Sequence, residues 1–140
     1  MMECGTFTGR RNGPVTDEQV KNYLINNGYP PHLVREGRAG LVRRWREFVE
    51  QAERGYGLGL EDYRNDLDLR AILRLAGAEN DEVAQLDRRF QALLTATNRR
   101  VWESARSDQP GEPFWDFGWP RNAGPELLKG LREEGLLESA

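Results

Sequence analysis

The side chains that could carry chemistry fall into three groups. The densest polar group is Glu61, Asp62, Asp66 and Asp68. Asp62 and Asp66 are four residues apart, so on a helix they share a face and repel, and a divalent cation or a cationic partner would relieve the strain. Arg70 is spaced to pair with Asp66, and Arg64 with Asp68. Glu61 and Asp62 suit a first helical turn, where the helix dipole favours acids. Capping and surface pairing therefore account for most of the cluster. The run 66–70 lacks the turn glycine and terminal glutamate of a calcium loop. A small enzyme would have to draw its site from Asp62, Asp66, Arg70 and His32, the last being a general base of near-neutral ordinary pKa. His32 has no serine or cysteine close in sequence, and Cys4 has no positioned base to make it a nucleophile.

The second group is basic. Arg35, Arg38, Arg43, Arg44 and Arg46 crowd one short window with only Glu36 opposing them. They are the candidate nucleic-acid contacts. Glu47, Glu50 and Glu53 follow directly and would repel phosphates, and the helix carrying the arginines must also bury Trp45 and Phe48. Eighteen of the 20 bases are arginine. Arginine holds planar carboxylates and phosphates better than lysine does, but a skewed genomic base composition gives the same bias, and it is the sole ground for expecting a bacterial source.

The third group is aromatic. Phe114, Trp115, Phe117 and Trp119 lie within six residues of a stretch rich in proline and glycine. Four such rings cannot all face water without a solubility cost. Either the segment straps across the helices and plugs them, or it presents aromatic anchors to a protein partner. With Trp102, these residues are the candidate partner-binding set.

Composition narrows the field further. One cysteine and one histidine exclude an intrachain disulfide and a cysteine–histidine zinc site within one chain. No metal and no cofactor are expected. The glycines of 55–59 lack the lysine, the Ser/Thr and the preceding strand of a phosphate loop, so Tyr56 and Leu58 are expected to tuck inward there. No apolar run approaches the roughly 20 residues of a membrane span. The first residues lack the basic and apolar regions of a signal peptide, which makes the cytoplasm the expected compartment. The net charge is −3, with residues 107–140 carrying 3 bases against 7 acids, an acidic end that disfavours wrapping on nucleic acid.

These residues need elements to hold them. The 140 residues suit one domain, with a flexible leader at 1–15 and a single helical domain at 16–140. Thr16 and Gln19 form a capping-box pattern that opens a helix over 17–27, closed at Gly28. Pro30-Pro31 starts a short turn of helix at 31–36, and Gly37 and Gly40 separate it from a helix at 39–54 with Leu41, Trp45, Phe48, Val49 and Ala52 on one face. A further helix spans 60–76. A long one is expected near 81–106, with Val83, Leu86, Phe90, Leu93, Leu94, Thr97 and Val101 as its inward stripe. On that wheel Arg88, Arg99 and Arg106 point outward, and Trp102 lies off the stripe. An aromatic-rich loop at 107–124 leads to a last helix at 125–134. No alternating strand is evident. The fold class is all-α, an irregular bundle of about five helices. The function expected is that of a small non-enzymatic module, a monomer or weak homodimer, with a protein partner. The nucleic-acid protein and the small enzyme are the alternatives.

Overall fold

A computed structural model describes residues 15–97, 99–101 and 113–137. Residues 1–14 of the predicted leader at 1–15, with Cys4, and also Trp102 and Arg106 lie outside the described residues. The protein is an all-α bundle. Its five described helices are α1 (Asp17–Asn26), α2 (Pro31–Arg54), α3 (Leu60–Leu75), α4 (Asp81–Leu93) and α5 (Pro125–Glu133).

Local chemistry sets most of the ends. Thr16 caps α1 reciprocally: its hydroxyl accepts from the Gln19 N–H at 3.2 Å, and the Gln19 side chain accepts from the Thr16 N–H at 2.8 Å. Asn80 caps α4 by accepting from the Val83 N–H at 2.9 Å. The two predicted segments 31–36 and 39–54 run as one element, α2, kinked where Gly37 takes φ 60°. The kink releases the Arg38 N–H from the helical ladder, and Asp17 Oδ1 accepts it at 2.9 Å. No side chain fits at Gly37, since a Cβ there would come within 2.5 Å of that same oxygen.

The core centres on Trp45 of α2. Its ring stacks on Phe48 at 5.0 Å and meets Phe90 of α4 edge-on at 5.5 Å. Phe48 in turn touches Tyr56 and Tyr63, so α2, α3 and α4 share one aromatic centre. Leu127 and Leu131 of α5 and Val20 and Leu24 of α1 close it from either side. In the glycine loop Tyr56 is fully buried, but Leu58 is 44% exposed, against the expectation that both tuck inward. The single-residue excursion between Gly57 and Gly59 leaves only one of the two rooted in the core.

The largest departure from the sequence reading is the predicted long helix. The element begins at Asp81 as expected but ends at Leu93, and Leu94–Ala96 becomes a strand, β1. It pairs antiparallel with a second three-residue strand, β2 (Gly118–Pro120), opposing Leu94 to Pro120, Thr95 to Trp119 and Ala96 to Gly118. These strands were not anticipated. Backbone groups of Leu93, Thr97 and Val101 bond to the segment 116–121: Thr97 N–H donates to Phe117 O at 2.9 Å, Val101 N–H to Asp116 O at 2.7 Å and Arg121 N–H to Leu93 O at 2.9 Å. Gly118 permits the approach, because a Cβ there would lie 2.7 Å from Thr95 O. Val101 is buried as expected, but through this pairing and not through a helical stripe.

Candidate functional site

The aromatic segment lies as a strap along α3 and α4. Phe114–Asp116 forms a single 3-10 turn. Trp115 and Trp119 are buried, while Phe114 and Phe117 are half-buried. The Tyr63 hydroxyl donates to Gly118 O at 2.7 Å, and the Gly124 N–H donates to Tyr56 O at 2.8 Å. The strap therefore closes the open side of the core, with two of its four rings turned inward.

Under Trp115 sits Arg70, only 2% exposed. Its guanidinium holds Asp87 of α4 with two bonds, Nε to Oδ1 at 3.0 Å and Nη2 to Oδ2 at 2.7 Å, and reaches Glu79 at 2.6 Å. The carbon of the guanidinium lies 4.1 Å from the Trp115 ring centre, within cation–π range. Trp45 Nε1 donates to the same Asp87 oxygen at 3.0 Å. Burial pulls the Arg70 pKa down, but the Asp87 and Glu79 carboxylates outweigh it and hold the cation charged. The Asp66–Arg70 pair predicted from spacing is replaced by this three-element latch.

Asp66 turns to Tyr56, whose hydroxyl donates to Oδ2 at 2.8 Å. Burial raises the Asp66 pKa to about 6, and the nearby Asp62 adds to the rise while the tyrosine opposes it. Burial and Asp66 in turn push the Tyr56 hydroxyl upward. Asp62 itself is exposed and lines a second cleft of about 310 Å³ between α3 and α5, beside Arg64 and Lys129. His32 is exposed in the first turn of α2, ahead of the Gly37 kink. The candidate polar set thus divides into a buried latch residue, a tyrosine-bound carboxyl and two exposed groups. Among the described residues there is no group of three or more His, Cys, Asp or Glu that could hold a metal ion. No helix among them is long and apolar enough to cross a membrane.

The arginine group has a different fate. Arg38 is anchored inward, with Nη2 donating to the Val15 and Gly77 carbonyls. Arg44 and Arg43 both hold Glu36, Arg43 also lies 4.0 Å from Glu47, and Arg46 holds Glu82 of α4 through Nε at 2.6 Å. Arg35 is exposed. Arg38, Arg43 and Arg46 together line a cleft of about 570 Å³. Ala39 and Val42 of α2 also line it, Asp17 of α1 borders it, and Asn80 and Glu82 bring in the start of α4.

The chain matches no protein-family model, no curated protein and no solved structure. Function must therefore be read from these sites.

Sequence reasoning missed Asp87, Glu79 and Asp116. Two of the signals were present. Arg70 follows Tyr63 by seven residues and Leu67 by three, which places a cation on the inward face of α3. Asp87 falls about 60° from Phe90 on the α4 wheel, at the edge of the inward stripe. An arginine and an aspartate both on core-facing edges are candidates for one another. Asp116, buried in the strap 3.9 Å from Arg100 Nε, had no such signal, because an irregular segment has no period to read.

Proposed function

We propose that the protein is a non-enzymatic accessory module that acts in the cytoplasm by docking another protein. The observation that carries this reading is the α1–α2–α4 cleft. Its volume of about 570 Å³ lies in the range of sites that enclose a ligand or a few side chains, roughly 300–1,000 Å³. It sets Ala39 beside the partly exposed arginines Arg43 and Arg46, and arginine is among the residues most enriched at binding hot spots. Phe114 and Phe117, half-buried along the strap, supply a second candidate contact. Three polar groups with shifted pKa values are tied to the architecture: Asp66 to Tyr56, Asp116 to the strap and Arg70 to the latch.

The test is site-specific photo-crosslinking in extracts of the source cells. A photoreactive residue is placed at Glu47, exposed beside the cleft arginines, and in parallel at Lys129 on α5. A discrete adduct with one other protein, formed from Glu47 and not from Lys129, supports the reading. It fails if neither position yields an adduct, or if the purified protein turns over a substrate and a single polar substitution abolishes that turnover.

A further inference from the structure

We propose that the Phe114–Asp116 turn is a proton-controlled flap, seated on the bundle while Asp116 holds its proton and lifting as a unit once Asp116 is ionised. The flap concerns this chain alone and does not depend on the docking reading.

The seated turn leaves three polar groups poorly served at one place. Asp116 is 2% exposed, and Arg100 Nε stands 3.9 Å from its carboxyl, beyond hydrogen-bond length. Trp115 Nε1 and Arg70 Nη1 are buried and have no hydrogen-bond partner among the described residues. A buried donor left unpaired keeps the whole cost of losing its water. The two donors are neighbours, since the Arg70 guanidinium lies against the Trp115 ring. Lifting the turn gives water to the carboxyl and to both donors together. Arg70 keeps Asp87 and Glu79 throughout, because those bonds run to other elements.

The turn can move without losing its shape. Asp116 N–H donates to Pro113 O and Phe117 N–H to Phe114 O, both at 3.1 Å and both within the segment. Its described backbone bond to the bundle is the one from Val101 N–H to Asp116 O. From Phe117 onward the strap is pinned separately. Thr97 N–H donates to Phe117 O, β2 pairs with β1, and the Tyr63 hydroxyl donates to Gly118 O. What seats the turn is therefore the Trp115 ring on Arg70, with Phe114 beside Phe90 at 6.3 Å. Segments held by so few bonds open at lower free energy than the whole molecule.

The surrounding charges set the sign. Burial is the largest influence on Asp116 and favours its neutral form. Arg100 opposes burial, and Asp68 of α3 reinforces it. Tyr63 of α3 also faces Asp116, and its hydroxyl stays neutral because burial and that carboxyl push it upward. Arg70 and Arg74 lie beyond, at the Trp115 ring. The seated turn holds Asp116 at about 6 against an ordinary 3.8, so it keeps a proton that the lifted turn releases. Opening therefore becomes easier as pH rises through this window and levels off above about pH 6.

The experiment is native-state hydrogen exchange on the full chain, followed by NMR under conditions where exchange reports the opening equilibrium. Protection is read at the Val101 amide, bonded to the flap, and at the Val49 amide in the buried face of α2, from pH 4.5 to 7.5 with and without low urea. Val101 should be the less protected, and its opening should hardly change with urea, the mark of local motion. Its protection should fall roughly twentyfold over the pH range and stay level in Asp116→Asn. Asp66→Asn, at a carboxyl tied to Tyr56 and not to the flap, should leave the pH dependence at Val101 in place. Arg100→Gln removes the opposing cation and should move the midpoint to higher pH. The proposal is overturned if Val101 shares the urea dependence of Val49, if Asp116→Asn keeps the pH dependence or Asp66→Asn abolishes it, or if Arg100→Gln lowers the midpoint. Should Asp116→Asn fail to fold, the urea dependence in the parent and the Arg100→Gln midpoint decide the matter.

Discussion

Asp116 should contribute stability in mild acid that is lost as the pH rises toward neutrality. The side chain is almost wholly buried in the strap. Burial raises its pKa from an ordinary 3.8 to about 6; Arg100 pulls against the rise and Asp68 adds to it. The folded state therefore keeps a proton that the unfolded chain releases between about pH 4 and pH 6. Where the folded state binds more protons, stability falls as pH rises. The penalty is absent below about pH 4 and fully present above about pH 6. A difference of about 2 units corresponds to about 3 kcal/mol at most. Asp66, raised to about 6 by the same cause, adds a contribution of the same sign. Asp17, Glu36 and Glu53 act oppositely, since hydrogen bonds from Arg38, from Arg44 and Arg43, and from Arg89 respectively lower their pKa values. Their contribution is lost only as pH falls through the lower carboxylate range.

The substitution that isolates the effect is Asp116→Asn, which keeps the shape and removes the titration. Urea unfolding followed by tryptophan fluorescence, at intervals from pH 4.5 to 7.5, gives the stability of each protein. The quantity to read is the difference between variant and parent, in which the lowered carboxylates cancel. That difference should move in favour of the variant as pH rises, by about 2 kcal/mol over the window. A difference that stays flat would show that Asp116 titrates normally. One that moves against the variant would show that pairing with Arg100 outweighs burial. Either result refutes the reasoning.

Arg70→Ala should cost about 3–5 kcal/mol, because it leaves Asp87 and Glu79 without their cation beneath the Trp115 ring; a thermal melt within a few degrees of the parent would contradict the latch. Trp45→Ala, at a fully buried ring touching Phe48 and Phe90, should cost about 3–5 kcal/mol, read from urea midpoints. Gly118→Ala forces a Cβ to within 2.7 Å of Thr95 O. It should cost about 1–3 kcal/mol and speed hydrogen exchange at the Thr97 and Val101 amides, which the strap protects. Arg88→Gln, exposed on α4, should change stability by less than about 0.5 kcal/mol.

How legible each part was follows from whether its cause is local in the chain. The α1 cap was readable because Thr16 and Gln19 are three residues apart and bond only to one another. The break at Gly37 was readable as a glycine between two periodic runs, but its purpose was not. The acceptor that takes the released Arg38 N–H is Asp17, on another helix. Most of the inward face of α2 was readable, because Leu41, Trp45, Phe48, Val49 and Ala52 repeat at helical spacing and are all buried, while buried Val42 falls outside that set. The arginine window was visible as a cluster. Which members are anchored, as Arg38 is, and which line an open cleft depends on Val15, Gly77 and Glu82, none of them in the window.

The end of α4 shows the limit most clearly. Leu93, Leu94, Thr97 and Val101 keep a three-and-four spacing, so the apolar pattern alone continues the helix. Propensity was already failing there, since Thr95 and Thr97 are β-branched and favour extended backbone. What decides the contest is the strap. Gly118 lets a second backbone come close enough to bond, and Thr97 and Val101 then find better partners in Phe117 and Asp116 than in the next helical turn. The chain thus gives up a helical turn to close its core with Trp115 and Trp119. The same closure brings Trp115 over Arg70 and buries Asp116, so the latch and the pH-sensitive carboxyl both depend on a pairing between segments more than twenty residues apart.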